Sequence, residues 1–473
     1  MYCKLKKDFM MRGWKLLPTG VVNRNTGGYM FLKAREYETI RFCNGMFDES
    51  SVVFSAQDRQ IMDKFTEFGL LEKNAEASSL APEQEYREYP NRFLHEVHWL
   101  LTGRCNARCK HCYMSAPHAA MGELPHETCL AIIEQLAECG IQCVTLSGGE
   151  PLIRKDFWEI VDALLANGIH ISSIMSNGLL VNEDVLDKLD ERGIKPHFSM
   201  SFDGTDGWHD WLRGVKGAAE SVLHAFGICS ERGFRTTCEY CLHSGNAHTL
   251  RDSVKLLDSL GVQSLKVNRL EVLGEGEAIR RYALTAPEAY GIFLRYIPDY
   301  FADNLAMKIN LGGFFLSDKD NICHSGYCKL SEGKSNHCLC GHIRNTMLID
   351  ADGRILPCIP VSSATALHKY FPLITDVRLQ DILTDSSYLN FSAATLGEYL
   401  SHNPTCAKCE YRNLCAGGCR GRAAMENHDD SFWGVDREAC EFFHGGYYKE
   451  LMDLLTALDK KFLTIEDGKR LTA

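Results

Sequence analysis

Across residues 96–285 the apolar positions switch repeatedly between two periods. Six short runs, VHWLLTG (97–103), CVTLSGG (143–149), ISSIMSNG (171–178), HFSMSFDG (197–204), RTTCEYCLH (235–243) and SLKVNRLE (264–271), read as strands. The stretches between them, such as ETCLAIIEQLAEC, DFWEIVDALLANG and TLRDSVKLLDSLG, space their apolar residues three and four apart. Most run into a glycine, where helices commonly stop. Six such βα units predict a parallel sheet closed or partly closed into a barrel, a partial (β/α)6 TIM-like fold over residues 96–285. Sites in such folds lie at the C-terminal ends of the strands, so the loops after the first four runs should converge on one face.

The flanking regions follow other patterns. In residues 1–80, WKLLPTGVVNRNTGGYMFL gives two β-rich runs around Asn25-Thr26-Gly27-Gly28, and Ile61, Phe65 and Phe68 fall at helical spacing. This predicts a small α+β unit of winged-helix type, followed by a polar, Pro-containing linker over 81–95. The alternation stops near 285. A bridging region (286–322) leads to a turn-rich, cysteine-rich domain (323–445), and an amphipathic helix closes the chain (446–473). A region so short of apolar runs needs a staple other than a core, and metal binding would supply one.

Charge and composition narrow the function classes. The 473 residues carry 51 Lys+Arg against 62 Asp+Glu, a net charge of -11, which argues against nucleic acid or an anionic membrane as the main partner. Residues 1–80 depart from this, with 12 basic against 10 acidic side chains, and are the place to expect an acidic partner. No stretch has the length and apolarity of a membrane span, and the start lacks a signal-peptide core, so a cytoplasmic protein is expected. The 21 cysteines therefore read as metal ligands rather than disulfides, and they cluster at 105–112 and 406–419.

Cys105, Cys109 and Cys112 in CNARCKHCY follow the first predicted strand. Three thiolates on a tight loop can hold a four-iron cluster with one iron left open, and an open position distinguishes a catalytic metal site from a structural one. On spacing alone, a zinc site or three unrelated buried cysteines remain alternatives.

C-x3-C-x2-C after the first barrel strand resembles the radical S-adenosylmethionine (radical SAM) superfamily, and the resemblance spans residues 96 to about 280. It implies that the open iron binds the amino and carboxylate groups of S-adenosylmethionine. Ser147, Gly148, Gly149 and Glu150 of SGGEP match the loop that receives the methionine amino group. Ser176 and Asn177 correspond to positions near the methionine and ribose, and Ser201 and Arg213 to positions that help hold the methionyl carboxylate. His111 stands where the family often has Phe, Tyr or Trp packed on adenine.

The C-terminal cysteines are similar to the SPASM domain that follows some radical SAM barrels. That similarity implies two auxiliary [4Fe-4S] clusters, one on Cys340, Cys358 and Cys419, the other on Cys406, Cys409, Cys415 and Cys440. The fourth ligand of the first is open between Cys338, Cys328, the more distant Cys323 and no protein ligand. A zinc ribbon on the four cysteines at 406–419 is the competing reading of that segment alone. Cys139 and Cys143 are expected to be small buried apolar residues.

Residues 1–80 resemble the recognition element of enzymes that modify ribosomally made peptides, where a leader peptide adds as a strand to an exposed edge. Together the resemblances imply three [4Fe-4S] clusters, S-adenosylmethionine, a precursor peptide and an electron donor such as flavodoxin or ferredoxin. The implied reaction is hydrogen abstraction by a 5'-deoxyadenosyl radical, followed by thioether formation between a cysteine sulfur and a backbone α-carbon, as in sactipeptides. Carbon–carbon cross-linking is the alternative within this architecture. Formylglycine formation, as in anaerobic sulfatase maturases, is less compatible because Ile359 follows Cys358 where that group has Asp. A DNA-binding iron–sulfur regulator is opposed by the acidic balance and by the full set of cofactor loops. No motif singles out a general base.

Overall fold

A computed structural model describes residues 1–118, 121–317, 323–329, 335–427, 431–462 and 465–466. The N-terminal residues form β1 (Tyr2–Leu5), β2 (Phe9–Trp14), β3 (Leu17–Asn23), β4 (Tyr29–Phe31), α1 (Ala34–Phe42), β5 (Asn44–Asp48), α2 (Ala56–Glu67), β6 (Leu71–Asn74) and β7 (Arg87–Tyr89). They make two sheets, ordered β5-β1-β6 and β4-β3-β2-β7, around a core of their own that includes Leu5, Met11, Ile40, Met62 and Phe65. Ser55 starts α2 with a capping box. Its hydroxyl accepts from the Asp58 amide at 3.2 Å while the Asp58 carboxylate accepts from the Ser55 amide at 2.8 Å.

Part of the segment expected as a linker is ordered against this unit. β7 pairs with β2, and the Arg12 guanidinium donates to the carbonyls of Glu83 and Glu85. Trp14 stacks on Tyr89 and meets Phe93 edge-on.

The central sheet holds β8 (Glu96–Leu100), β9 (Cys143–Ser147), β10 (His170–Ser176), β11 (His197–Ser201), β12 (Thr236–Leu242) and β13 (Ser264–Arg269). These are the six expected strands, all parallel and in chain order. Between them run α3 (His126–Glu138), α4 (Phe157–Ala166), α5 (Glu183–Glu191), α6 (Trp208–Arg213), α7 (Ala218–Glu231) and α8 (Leu250–Ser259), with α9 (Ala286–Asp303) after β13. Two further parallel strands extend the sheet: β14 (Lys308–Leu311) beyond β13, and β18 (Thr346–Ile349) beside β8. The remaining short strands are β15 (Phe315–Ser317), β16 (Cys323–His324), β17 (Cys328–Lys329), β19 (Ile355–Leu356) and β20 (Ile465–Glu466). The sheet order β16-β15-β14-β13-β12-β11-β10-β9-β8-β18-β19 is open, so the architecture is a partial barrel.

Alternation along the strands decides what the barrel contains. Val144, Leu146, Phe198, Met200, Leu265 and Val267 are buried toward the helices. Residues one position off, Glu96, His98, Thr145, Glu239, Lys266 and Asn268, line the concave face. Parallel strands buried on both sides usually read as continuous apolar runs, and a TIM barrel fills its lumen with branched aliphatics. Here these inward strand positions are largely polar, and a cavity opens against them.

The N-terminal unit sits at the floor of the barrel, against the starts of the strands. A Cβ on Gly27, whose φ is +68°, would lie 2.4 Å from the Sγ of Cys143, the first residue of β9. Trp14 Nε1 and Asn91 Nδ2 both donate to the Cys139 carbonyl. Cys139 and Cys143 are buried, in line with an apolar role. Among the described residues no helix is long and apolar enough to cross a membrane.

Candidate functional site

The CNARCKHCY loop leaves the upper end of β8 and is clamped from three sides. On one side, the Gly149 amide donates to Thr102 O at 2.7 Å and the Glu150 amide to Arg104 O at 2.9 Å. This approach dictates glycine, because a Cβ on Gly149 would fall 2.1 Å from the Arg104 carbonyl oxygen. On the second side, the amides of Arg108 and Lys110 donate to the carbonyls of Arg213 and Leu212, which end α6. On the third, the Glu275 amide, in the loop after β13, donates to Cys112 O at 3.0 Å. Cys105, Cys109 and Cys112 are half-buried and unpaired with other cysteines. Burial pushes the Cys105 thiol up to about 11 and also raises Cys109, so iron binding must displace protons here.

Glu150 is fully buried and has no cationic partner among the described residues. Its carboxylate accepts from the Asn177 amide at 2.8 Å, from the Leu152 amide at 3.2 Å and from the Ser176 hydroxyl at 3.1 Å. Burial raises its pKa to about 7 against the pull of those donors. The Asn177 side chain donates to Asn106 Oδ1 at 2.7 Å and lies 3.6 Å from Cys105 Sγ. The SGGEP and MSNG residues thus meet the first cysteine in one hydrogen-bonded unit.

Arg213 is committed on one edge. Its Nε and Nη2 donate to the buried Asp203 carboxylate at 2.6 and 3.1 Å, while Nη1 lies 3.8 Å from Cys109 Sγ. Burial alone would raise the Asp203 carboxyl, yet Arg213 and His209 hold it well below the usual carboxylate range. Asp203 also accepts from the Cys241 amide at 2.9 Å, tying the fourth strand's loop to the fifth strand. His111 is buried, its Nδ1 has no partner among the described residues, and burial followed by the Arg213 charge lowers its pKa to about 3. Both causes favour the neutral ring.

A cavity of about 760 Å³ opens beside these loops and joins His111, Ser201 and Arg213 to Cys340, Cys358 and Cys419. A second, smaller cavity is ringed by Cys406, Cys409, Cys415 and Cys440. The chain therefore sorts its C-terminal cysteines into the two groups expected. Among the described residues no three His, Cys, Asp or Glu side chains converge on a single-ion point. The thiols ring volumes instead, which suits ligands that meet a polynuclear group at separate corners. Donor type and partial burial fit an iron–sulfur cluster at the first loop, and at the two C-terminal sets a lining cavity adds to that fit.

Among the described residues no fourth C-terminal cysteine lines the cavity with Cys340, Cys358 and Cys419. Cys338 lies beside Cys340, but its thiol points to the carbonyls of Cys340 and Ser392. Cys323 is wholly buried on β16, and the Cys328 side chain lies outside the described residues.

Sequence reading passed over several residues that the fold brings here: Asp203, Glu239, His98, Glu271 and Gly274. Glu239 accepts from Asn268 Nδ2 at 2.9 Å and lies 3.5 Å from Lys266 Nζ, yet burial outweighs both and raises its pKa. Buried His98 is lowered to about 4, and its Nε2 has no partner among the described residues. A signal for Glu239 existed in the alternation TTCEYCL, where an acidic residue occupies an inward position. The paired glycines of LGEGEA hinted at Gly274, where a Cβ would lie 2.5 Å from the Cys112 carbonyl oxygen.

Residues 99–257 match the Radical SAM superfamily, and residues 338–410 match SPASM, an iron–sulfur cluster-binding domain. Cys415, Cys419 and Cys440 lie beyond the second match. The chain is 26% identical over 368 residues to Fe-coproporphyrin III synthase of Methanosarcina barkeri, covering 75% of this chain and 90% of that protein. It is 26% identical over 325 residues to the PqqA peptide cyclase of Granulibacter bethesdensis, covering 68% and 81%. In fold it is similar to Streptococcus suis SuiB bound to its precursor peptide SuiA, with a TM-score of 0.63, 15% identity and coverage of 93% and 100%.

Proposed function

We propose that this chain, a radical SAM core joined to a SPASM iron–sulfur domain, cross-links a ribosomally made peptide through thioether bonds from cysteine sulfur to a backbone α-carbon. The observation that carries the reading is the single cavity running from His111, Ser201 and Arg213 to Cys340, Cys358 and Cys419. A substrate held there touches the cofactor loops at one end and an auxiliary cysteine set at the other. Similarity to a peptide cyclase and to SuiB with its bound precursor supports a peptide as that substrate.

Cys105, Cys109 and Cys112 would hold the first [4Fe-4S] cluster, and the two C-terminal sets would hold the second and third, with a flavodoxin or ferredoxin as electron donor. When bound, the first cluster and S-adenosylmethionine supply a carbon radical that takes a hydrogen atom from the substrate. The chain's own side chains do the rest. Glu150 with Ser176 and Asn177 would support the loop that receives the amino group, Arg213 Nη1, now 3.8 Å from Cys109 Sγ, would be the donor left for the carboxylate, and the lumen walls would exclude water. Joining a C–H carbon to an S–H sulfur also releases a proton and an electron. Glu239 faces the cavity with a raised pKa and serves as proton acceptor, and the group held by Cys340, Cys358 and Cys419 lies on the electron's way out.

At the N-terminal unit, β5 is a sheet edge with Met46 exposed on it and Phe42 and Phe47 packed alongside. We assign leader binding to this edge.

The test is co-expression with a short cysteine-containing candidate peptide, sought among the reading frames that neighbour this gene. Mass spectrometry should find a loss of two hydrogens per bridge, with the bridged thiols no longer alkylatable. The same mass loss with free thiols would replace this reading by carbon–carbon coupling. A tetrapyrrole substrate is the second reading, favoured by the extent of similarity to the coproporphyrin enzyme. Turnover of an iron porphyrin, with no change in the peptide, would establish it instead.

A further inference from the structure

A buried group of four charges lies between the two auxiliary cysteine sets. Asp436 caps the helix Arg437–His444, which carries Cys440, by accepting from the Ala439 amide at 3.0 Å. Its Oδ2 also accepts from the backbone amide of Cys419 at 2.7 Å, so one carboxylate touches both sets. Arg422 donates Nη2 to that same oxygen at 2.8 Å and Nε to Oδ1 at 3.1 Å. Its Nη1 reaches Glu438 Oε1 at 3.0 Å, and the other Glu438 oxygen accepts from Arg269 at the upper end of β13. The Arg422 backbone amide lies 3.5 Å from Cys419 Sγ. Asp436 and Glu438 are 1% and 9% exposed, and both arginines line the substrate cavity.

Capping a helix does not require this. A neutral Ser or Asn would do so without the cost of burying ions, and a buried ion network is a weak source of stability. What fixed buried charges do provide is a field, because in a low-dielectric interior a charge acts over several ångströms. The reduction potential of an iron–sulfur cluster responds to net charge and to hydrogen bonds near its sulfurs. Two cations face two anions here, with Glu271 nearby, so removing any one of the four shifts the local charge beside Cys419 by one unit.

We propose that Arg422 is a positioning residue for the auxiliary cluster on Cys340, Cys358 and Cys419. Its guanidinium, locked by Asp436 and Glu438, raises that cluster's potential and makes it the better acceptor for the electron released at the substrate. This rests on reading those cysteines as cluster ligands.

The experiment is an anaerobic potentiometric titration of the reconstituted full-length protein, followed by electron paramagnetic resonance. Arg422→Gln should lower the midpoint potential of one auxiliary signal by about 59 mV, a tenfold change in the oxidised-to-reduced ratio for one electron. Glu438→Gln should move the same signal upward. Arg422→Lys, which keeps the charge without the fork, should stay near the parent value. The signal that responds to S-adenosylmethionine should not move in any variant and serves as the internal reference. Full iron and sulfide with unmoved potentials in Arg422→Gln overturns the role of Arg422. Should Arg422→Gln fail to retain iron, an unmoved or lowered potential in Glu438→Gln overturns it instead. Iron sufficient for only one cluster in the parent protein defeats the auxiliary-cluster reading itself.

Discussion

Glu150 is the clearest case of a single residue under strain of environment, because its carboxyl is buried with donors but no cation. A pKa raised from about 4.5 to about 7 favours the folded state while the group is protonated. That contribution is complete below about pH 4.5 and is lost as pH rises through about 7. At about 1.36 kcal/mol per unit the swing is roughly 3 kcal/mol. Denaturant unfolding of the parent and of Glu150→Gln across pH 4.5 to 7 should therefore converge or cross as pH increases. Parallel curves would show that Glu150 does not titrate in this window. Glu239 makes a different prediction. Glu239→Gln should leave cleavage of S-adenosylmethionine within a fewfold of the parent while peptide maturation drops by about two orders of magnitude, the usual scale of general-base loss. The cysteines were legible in the sequence because their spacing is local and their chemistry rare. Asp203, Glu239 and His98 were not, since a single polar residue in a strand acquires its meaning only when the sheet curls it toward a shared lumen.

At the scale of elements, the six strands β8 to β13 could be read from the chain because each carries a buried apolar alternation and is followed by a helix. β14 and β18 escaped notice for the converse reason. KINL and TMLI are four-residue runs outside the repeating unit, and only pairing with β13 and β8 makes them strands. β18 matters because it belongs to the cysteine-rich region yet completes the barrel's sheet, with Leu348 in register with His98 on one side and Leu356 on the other. Leu348→Pro crowds both ladders and cannot donate to either. It should release auxiliary iron while sparing the first cluster, read as a loss of total iron with the S-adenosylmethionine-responsive signal retained. Loss of all iron would mean that the first loop also depends on this strand.

The whole molecule sets the terms for testing the N-terminal unit. Removing residues 1–80 would strip Trp14 and Gly27 from Cys139 and Cys143, baring the barrel floor, so a deletion would confuse misfolding with lost recognition. Met46→Pro acts at the edge strand β5, where it removes the amide that donates to Asn44 Oδ1 at 2.9 Å and leaves the contacts of Trp14 and Gly27 in place. It should weaken leader-peptide affinity at least tenfold by fluorescence anisotropy and leave iron content and uncoupled S-adenosylmethionine cleavage unchanged. Eight of the nine large apolar side chains exposed among the described residues lie in this unit, Met46 among them on β5 and Phe42 beside it.

The placement of that unit at the starts of the strands, opposite the loops that do the chemistry, makes the barrel a ruler. β10 runs seven residues from floor to mouth, about 23 Å at roughly 3.3 Å per residue. A peptide gripped below must cover at least that distance before its first reactive side chain enters, some seven residues even when fully extended. Under the proposed function, counting from the grip would decide which cysteines are bridged, and lengthening the spacer residue by residue should march the modification along the peptide.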